Sequence, residues 1–176
     1  MKTIDVDCDS VVDIGGSQLP IYKRVKSWNV RDYKILDLEQ PHECKRFPDI
    51  LLDINEFDVG FLNGNFDVAF MIEVMEYLYN PVRAIKNINL LLKFGGLLYI
   101  STHELYPVHN PIEFDYLRYT KNGIIKILEK CGFNILDVCE KKLHYSGAQM
   151  DCFQLEKMKN AQNEILQGAI IKAIKI

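Results

Sequence analysis

The most regular patterning in this chain lies between Phe66 and Thr102. Phe66 to Ile72 is an apolar run of strand length, suited to a sheet covered on both faces. Asn80-Pro81 then offers a helix cap, followed by the proline that fits a first helical position. Val82, Ile85, Ile88 and Leu92 recur at helical spacing, while Arg83, Lys86, Asn87 and Asn89 fall mostly elsewhere around the barrel. Gly95-Gly96 is predicted to stop that helix, because glycine accepts the left-handed turn at a helix end. Leu97 to Ser101 reads as a second strand. The unit is a strand-helix-strand crossover, which builds parallel sheets.

Apolar runs elsewhere extend the pattern. Ser10 to Ile14, Tyr33 to Leu38 and Asp49 to Ile54 predict three strands before the crossover, with a short helix over Pro20 to Trp28. Residues 40–48 are polar, contain Pro41 and Pro48, and are too few for a full crossover helix. Downstream, Thr120 is placed to cap a helix over Lys121 to Cys131, with Ile124, Ile127, Leu128 and Cys131 inward and Gly132 at its end. Phe133 to Cys139 and Gly168 to Ile176 read as the last two strands, and Gln149 to Leu166 as partly helical. Strands alternating with helical segments define an α/β chain.

The ordered series FDVAFMIEVMEYLYNP followed by LLKFGGLLYIST resembles the fourth through fifth strands of class I S-adenosylmethionine-dependent methyltransferases. Glu73, Val74, Glu76, Pro81, Leu92, Lys93, Gly95 and Gly96 match the family pattern; Tyr77 replaces its usual histidine and Phe94 its usual proline. VVDIGGS is similar to the family's first motif, a strand ending in an acid before a glycine turn. The resemblance runs from Val11 to the C-terminus. It implies a Rossmann-like, doubly wound, seven-stranded sheet with an antiparallel last strand and helices on both faces. It also implies a minimal single domain over residues 1–176 that lacks the family's usual N-terminal helices.

Composition narrows the surroundings. Length suits one domain with a real core, and 48% hydrophobic with 26% charged residues is ordinary for a globular protein. A net charge of −3 with scattered basic residues gives no reason to expect nucleic acid as partner. The five cysteines include no C-x-x-C pair and point to neither zinc nor a disulfide framework, so no metal is expected. No stretch approaches membrane-spanning length and no apolar leader opens the chain, so a cytoplasmic location is expected.

The cofactor implied is S-adenosylmethionine. On the family pattern, Asp13 with Gly15, Gly16 and Ser17 would border its methionine and ribose end, with Ser17 and Leu19 standing where the family has further glycines. Asp37, flanked by Leu38 and 22 residues after Gly15, has the spacing of an acid that accepts hydrogen bonds from a ribose; Glu39 is the alternative if the register shifts. Asp53 would accept from the adenine amino group and Ile54 would pack on the ring. Ile72 and Glu73 should lie at the carboxyl edge of the sheet, where ligands bind in open α/β folds.

Between Thr102 and Tyr119 runs a long irregular segment, and such segments in compact domains are usually functional. Its Tyr106, Pro107, His109, Pro111, Asp115, Tyr116, Arg118 and Thr120 resemble a methyltransferase subgroup of glycan biosynthesis. The acceptor site is therefore expected here: a small molecule or glycan, methylated on a hydroxyl oxygen. His109 is the candidate general base, because imidazole titrates near neutral pH. His103 is the second candidate, and Asp115 with Arg118 could pair to brace the loop. A homodimer could bury the side left without N-terminal helices. The rival reading is a non-catalytic or partner-dependent member of the same fold; a nicotinamide enzyme lacks its G-x-G-x-x-G here.

Overall fold

The computed structural model describes residues 1–56, 59, 62–108, 110–142 and 166–176. In chain order the elements are β1 (Asp5–Ile14), β2 (Ser27–Asp37), β3 (Ile50–Leu51), β4 (Phe66–Met71), α1 (Pro81–Leu91), β5 (Leu92–His103), α2 (Lys121–Lys130), β6 (Phe133–Lys142) and β7 (Leu166–Lys175). They form one seven-stranded sheet in the order β3-β2-β1-β4-β5-β7-β6. The first five strands run parallel, and β7 inserts antiparallel between β5 and β6. This is the sheet expected from the sequence. The expected partial helix over Gln149 to Leu166 lies almost wholly outside the described residues.

The helices differ from expectation. Val12 and Ile14 of β1, Ala69 and Met71 of β4, and Leu98 and Ile100 of β5 pack with Ile85, Ile88 and Leu91 of α1 and with Ile124 and Leu128 of α2. Alternate residues Val11, Val68, Phe70 and Tyr99 form a second buried cluster on the opposite face. Because side chains alternate along a strand, both α-helices therefore sit on one face of the sheet. Among the described residues the opposite face carries Ile21 from a 3-10 turn and no α-helix. The predicted helix over Pro20 to Trp28 is only that turn, Ile21–Lys23.

Its place is taken by longer strands. β1 begins at Asp5 and β2 at Ser27, so Asp5-Val6-Asp7-Cys8-Asp9 is a half-exposed strand whose polar positions alternate with apolar ones. Polar groups link the two strands along this extension: Lys26 and Ser27 bond Asp5, Asn29 Nδ2 donates to Asp7 (2.8 Å), and Arg31 pairs with Asp9 (3.1 Å).

Asn80 caps α1 as predicted, its side chain accepting from the Arg83 N–H, and Thr120 caps α2 in the same way. The end of α1 is a correction. The helix stops at Leu91 because Leu92 turns extended and pairs with Phe66, so helix and strand join with no connecting loop. Gly95-Gly96 instead occupies a register shift within β5, where Gly95 has φ +76 and a Cβ on Gly96 would lie 2.9 Å from the Lys93 carbonyl. The helix end is closed by Lys175 of β7, whose ammonium donates to the carbonyls of Asn89 (2.7 Å) and Leu92 (2.8 Å). A cation there satisfies orphan carbonyls and opposes the helix dipole.

Charge-assisted bonds of this kind are worth about 1.5–3 kcal/mol each, less what water recovers. Lys175→Met should therefore lower unfolding free energy by about 1–2 kcal/mol, read as a lower urea midpoint at unchanged slope. An unshifted midpoint would mean that solvent closes the helix end equally well.

Candidate active site

The turn after β1 is built by close approach. Gly15 has φ +73, donates its N–H to the Leu36 carbonyl (2.9 Å), and leaves no room for a Cβ, which would sit 2.5 Å from Val74 Cγ2. A Cβ on Gly16 would meet Asp13 Oδ2 at 2.4 Å. Asp13 is buried, and its Oδ2 accepts from the Ile21 N–H (2.7 Å) and the Tyr33 hydroxyl (2.6 Å). Burial pushes the Asp13 carboxyl up to about 6, although those two bonds hold it down.

Ser17 is fully buried behind the turn. Its N–H donates to Asp37 Oδ2 (3.2 Å), and its carbonyl accepts from the N–H groups of Lys45 and Arg46 (3.0 Å each). Leu19, at 49% exposure, points away and does not narrow the site. Asp37 Oδ1 accepts from the Leu38 N–H (2.9 Å), and Asp53 Oδ1 accepts from both the main-chain N–H and side-chain amide of Asn55. The backbone just past β3 is held from below by Asn87 of α1, buried, which donates to the Ile54 carbonyl (2.9 Å).

A cavity of about 740 Å³ opens at this carboxyl edge. Of the residues predicted to hold the cofactor, Gly15, Asp37, Leu38, Asp53, Ile54 and Glu73 line it. Asp13, Gly16, Ser17 and Ile72 are not among the lining residues: Asp13 and Ser17 brace the turn from behind, and Ile72 is buried in the cluster on the second face. Glu39 is likewise not part of the wall. His109 lies outside the described residues.

The sequence reading missed two parts of the wall. One is Gln40 to Glu43, taken only as a connection; the other is Tyr77 and Tyr79, which line the cavity with Phe114 and Tyr116 of the segment where the acceptor site was expected. The signal for the second was present, since aromatic residues crowd both segments.

Glu73 sits just past β4 with φ +64, a conformation rare for a residue with a side chain. Its N–H donates to Ser101 Oγ (2.7 Å), Oε1 accepts from Ser101 Oγ (3.1 Å) and the Lys141 ammonium (3.0 Å), and Oε2 meets His103 Nε2. Burial alone would raise the Glu73 carboxyl, but the bonds from His103 and Lys141 win and hold it at about 2. His103, the second candidate base, is buried, meets Glu73 and is not among the residues that line the cavity. Although no metal site was expected, Glu73, Glu76 and His103 offer ligand atoms within 4.8 Å of one another, a set a divalent cation could use. Lys141 already supplies a cation to Glu73.

The segment after β5 is pinned to the same end of the sheet. Arg118 grips Asp115 through both guanidinium nitrogens (2.5 and 2.6 Å) and donates to the Pro107 carbonyl (3.1 Å), so this pair does brace the loop. The Tyr116 and Leu117 N–H groups donate to the Glu76 carbonyl (2.8 and 3.2 Å), and the Tyr77 hydroxyl to the Asn110 carbonyl (3.0 Å).

Comparison with known proteins fits this geometry. A family model described as a methyltransferase domain matches residues 9–138, and the chain belongs to that family. An S-adenosylmethionine-dependent methyltransferase from Mesorhizobium loti is 17% identical with a TM-score of 0.65, over 98% of this chain and 93% of that one. The 1,6-didemethyltoxoflavin-N1-methyltransferase of Burkholderia thailandensis, solved with 1,6-didemethyltoxoflavin and S-adenosylhomocysteine, is 16% identical (TM-score 0.61; 96% and 72% covered). A Haloferax volcanii methyltransferase in complex with the activator Trm112 is 12% identical (TM-score 0.61; 99% and 85% covered). At these identities the likeness is one of fold, the fold of S-adenosylmethionine-dependent methyltransferases. No curated protein sequence matches the chain. No helix among the described residues is long and apolar enough to cross a membrane.

The raised Asp13 carboxyl carries a pH signature. Its folded value, about 6, exceeds its ordinary 3.8, so the protonated form contributes stability that is complete below about 3.8 and lost as pH rises through about 6. Asp13→Asn keeps an acceptor for Ile21 and Tyr33 without the charge. The wild type should therefore lose unfolding free energy relative to this variant between pH 4 and pH 7, measured by urea titration at each pH. Parallel pH profiles would show that the carboxyl is ionised without penalty.

Proposed function

We propose that this protein transfers the methyl group of S-adenosylmethionine to a small-molecule acceptor. The observation that carries the reading is the convergence of three carboxylates, Asp37, Asp53 and Glu73, with the Gly15 turn on one cavity. They follow β2, β3 and β4, the carboxyl edge where open α/β sheets bind ligands. Asp37 would accept from the ribose hydroxyls beside Leu38, and Asp53 from the adenine amino group with Ile54 against the ring. Gly15 would approach the methionine end, with Gly16, Ser17 and Asp13 holding the turn in shape, while Glu73 and Ile72 fix the edge beside it. The fit is chemical: ribose and amino donors meet carboxylate acceptors, and Gly15 puts a turn without side chain on the cavity wall.

The sulfonium donor, when bound, brings an already reactive methyl group, so the protein's part is alignment and exclusion of water. Bonds from Ser17 and Leu38 fix Asp37, and bonds from Ser101, His103 and Lys141 fix Glu73. A sugar hydroxyl, the acceptor expected from the sequence, would rely on His109 as base and stands on the sequence resemblance alone. The partner-dependent alternative draws on the Haloferax neighbour, which forms its complex with an activator.

Calorimetric titration with S-adenosylmethionine and S-adenosylhomocysteine tests the reading. Micromolar binding is expected, weakened tenfold or more by Asp37→Ala, since a hydrogen bond to a charged group is worth about 1.5–3 kcal/mol. Folded protein that binds neither compound would sink the autonomous enzyme and favour one that requires a partner.

A further inference from the structure

The described wall of the cavity carries five carboxylates, Asp37, Glu43, Asp53, Glu73 and Glu113, and neither lysine nor arginine. Cations nearby are already engaged: Lys141 with Glu73 (3.0 Å), Lys45 with Glu43 (3.6 Å), and Arg118 with Asp115. An anionic acceptor, whether phosphate, carboxylate or nucleic acid, would meet like charge with no described counter-charge on the wall. A neutral or cationic acceptor would not.

Part of the wall is aromatic. Tyr79 and Tyr116 meet edge to face, with ring centroids 5.9 Å apart at 87°, and Tyr77 and Phe114 line the same cavity beside Glu113. The Tyr77 hydroxyl is held on Asn110 and the Tyr116 N–H on Glu76, so the rings are positioned before anything binds. Burial, with the carboxylate of Glu76 second, pushes the Tyr77 phenol up to about 12, which keeps it neutral at physiological pH. Aromatic faces attract a cation and stack on a planar ring, and a carboxylate beside them strengthens the first effect.

From this wall we infer that the acceptor is an amine carried on an aromatic or heteroaromatic ring, methylated at nitrogen. The inference rests on the methyl-transfer reading above. The neutral amine's lone pair attacks the methyl carbon, a C–N bond forms, and the C–S bond breaks with its electron pair left on sulfur. The positive charge passes from sulfur to nitrogen, and a proton on that nitrogen then leaves to water. The acidic, aromatic wall faces one positive charge before and after the step, so its dipoles and carboxylates need little rearrangement. A hydroxyl acceptor, by contrast, would have to lose a proton to a base during attack.

Binding of a product mimic tests this without turnover. Benzyltrimethylammonium, benzyl alcohol and benzoate would be titrated calorimetrically into the full-length protein, with and without saturating S-adenosylhomocysteine. The ammonium should bind at least tenfold more tightly than the alcohol, and benzoate more weakly than either. Glu113→Gln and Tyr116→Leu should each weaken ammonium binding several-fold while leaving the thermal melt and S-adenosylhomocysteine binding in place. Benzoate or the alcohol binding as well as the ammonium, or no effect of either substitution, would overturn the inference. Failure of S-adenosylhomocysteine to bind would instead remove the methyl-transfer reading, and the ligand ranking in its absence would still decide what the wall selects.

Discussion

One oxygen atom, Oδ2 of Asp13, takes the two hydrogen bonds on which the first third of the structure depends. A parallel strand pair normally needs a crossover long enough for a helix. Between β1 and β2 the chain offers twelve residues and no α-helix, and Asp13 holds the Ile21 backbone and the Tyr33 ring at the end of β1. Leaving the carboxyl without those partners in the core would cost several kcal/mol. With them, the turn at Gly15 and Gly16 is stretched over a fixed support.

That economy explains why so much of the site is held by side chains reaching between elements. Ser17 ties the first turn to Asp37 and to the backbone at Lys45 and Arg46, and Asn87 reaches from α1 to the segment after β3. Ser101, His103 and Lys141 converge on Glu73 from β5 and β6. The same arrangement leaves Asp37, Asp53 and Glu73 anchored on one oxygen or both, which lowers the entropy lost when a ligand docks.

What was legible in the sequence follows from where the determining contacts lie. The strand-helix-strand unit from Phe66 to Ser101 is encoded in local periodicity and in the Asn80-Pro81 cap, so it could be read, and the seven strands with an antiparallel last one followed from the family pattern. The extension of β1 was written in the alternation from Asp5 to Asp9, a signal passed over because Val6 and Cys8 each stand between acids. The stop of α1 was assigned to glycine because the capping group, Lys175, comes from a strand more than eighty residues away. Six of the ten expected cofactor residues reached the cavity wall because strand ends can be located from strands. The support role of Asp13 and the buried role of Asn87 depend on partners twenty and thirty-three residues distant, which no local pattern reveals.

The loopless passage from α1 into β5 has a consequence for the history of such a chain. Leu91 closes the last helical turn and Leu92 opens the strand, so helix rotation and strand register are geared to one another. Removing or adding one residue at that junction would swing the inward face of α1 by about 100° or flip every following side chain across the sheet. Ser101 and His103, at the far end of the same strand, would turn away from Glu73. A residue added in the segments around the cavity would leave that gear as it is, so those segments can be remade for a new ligand.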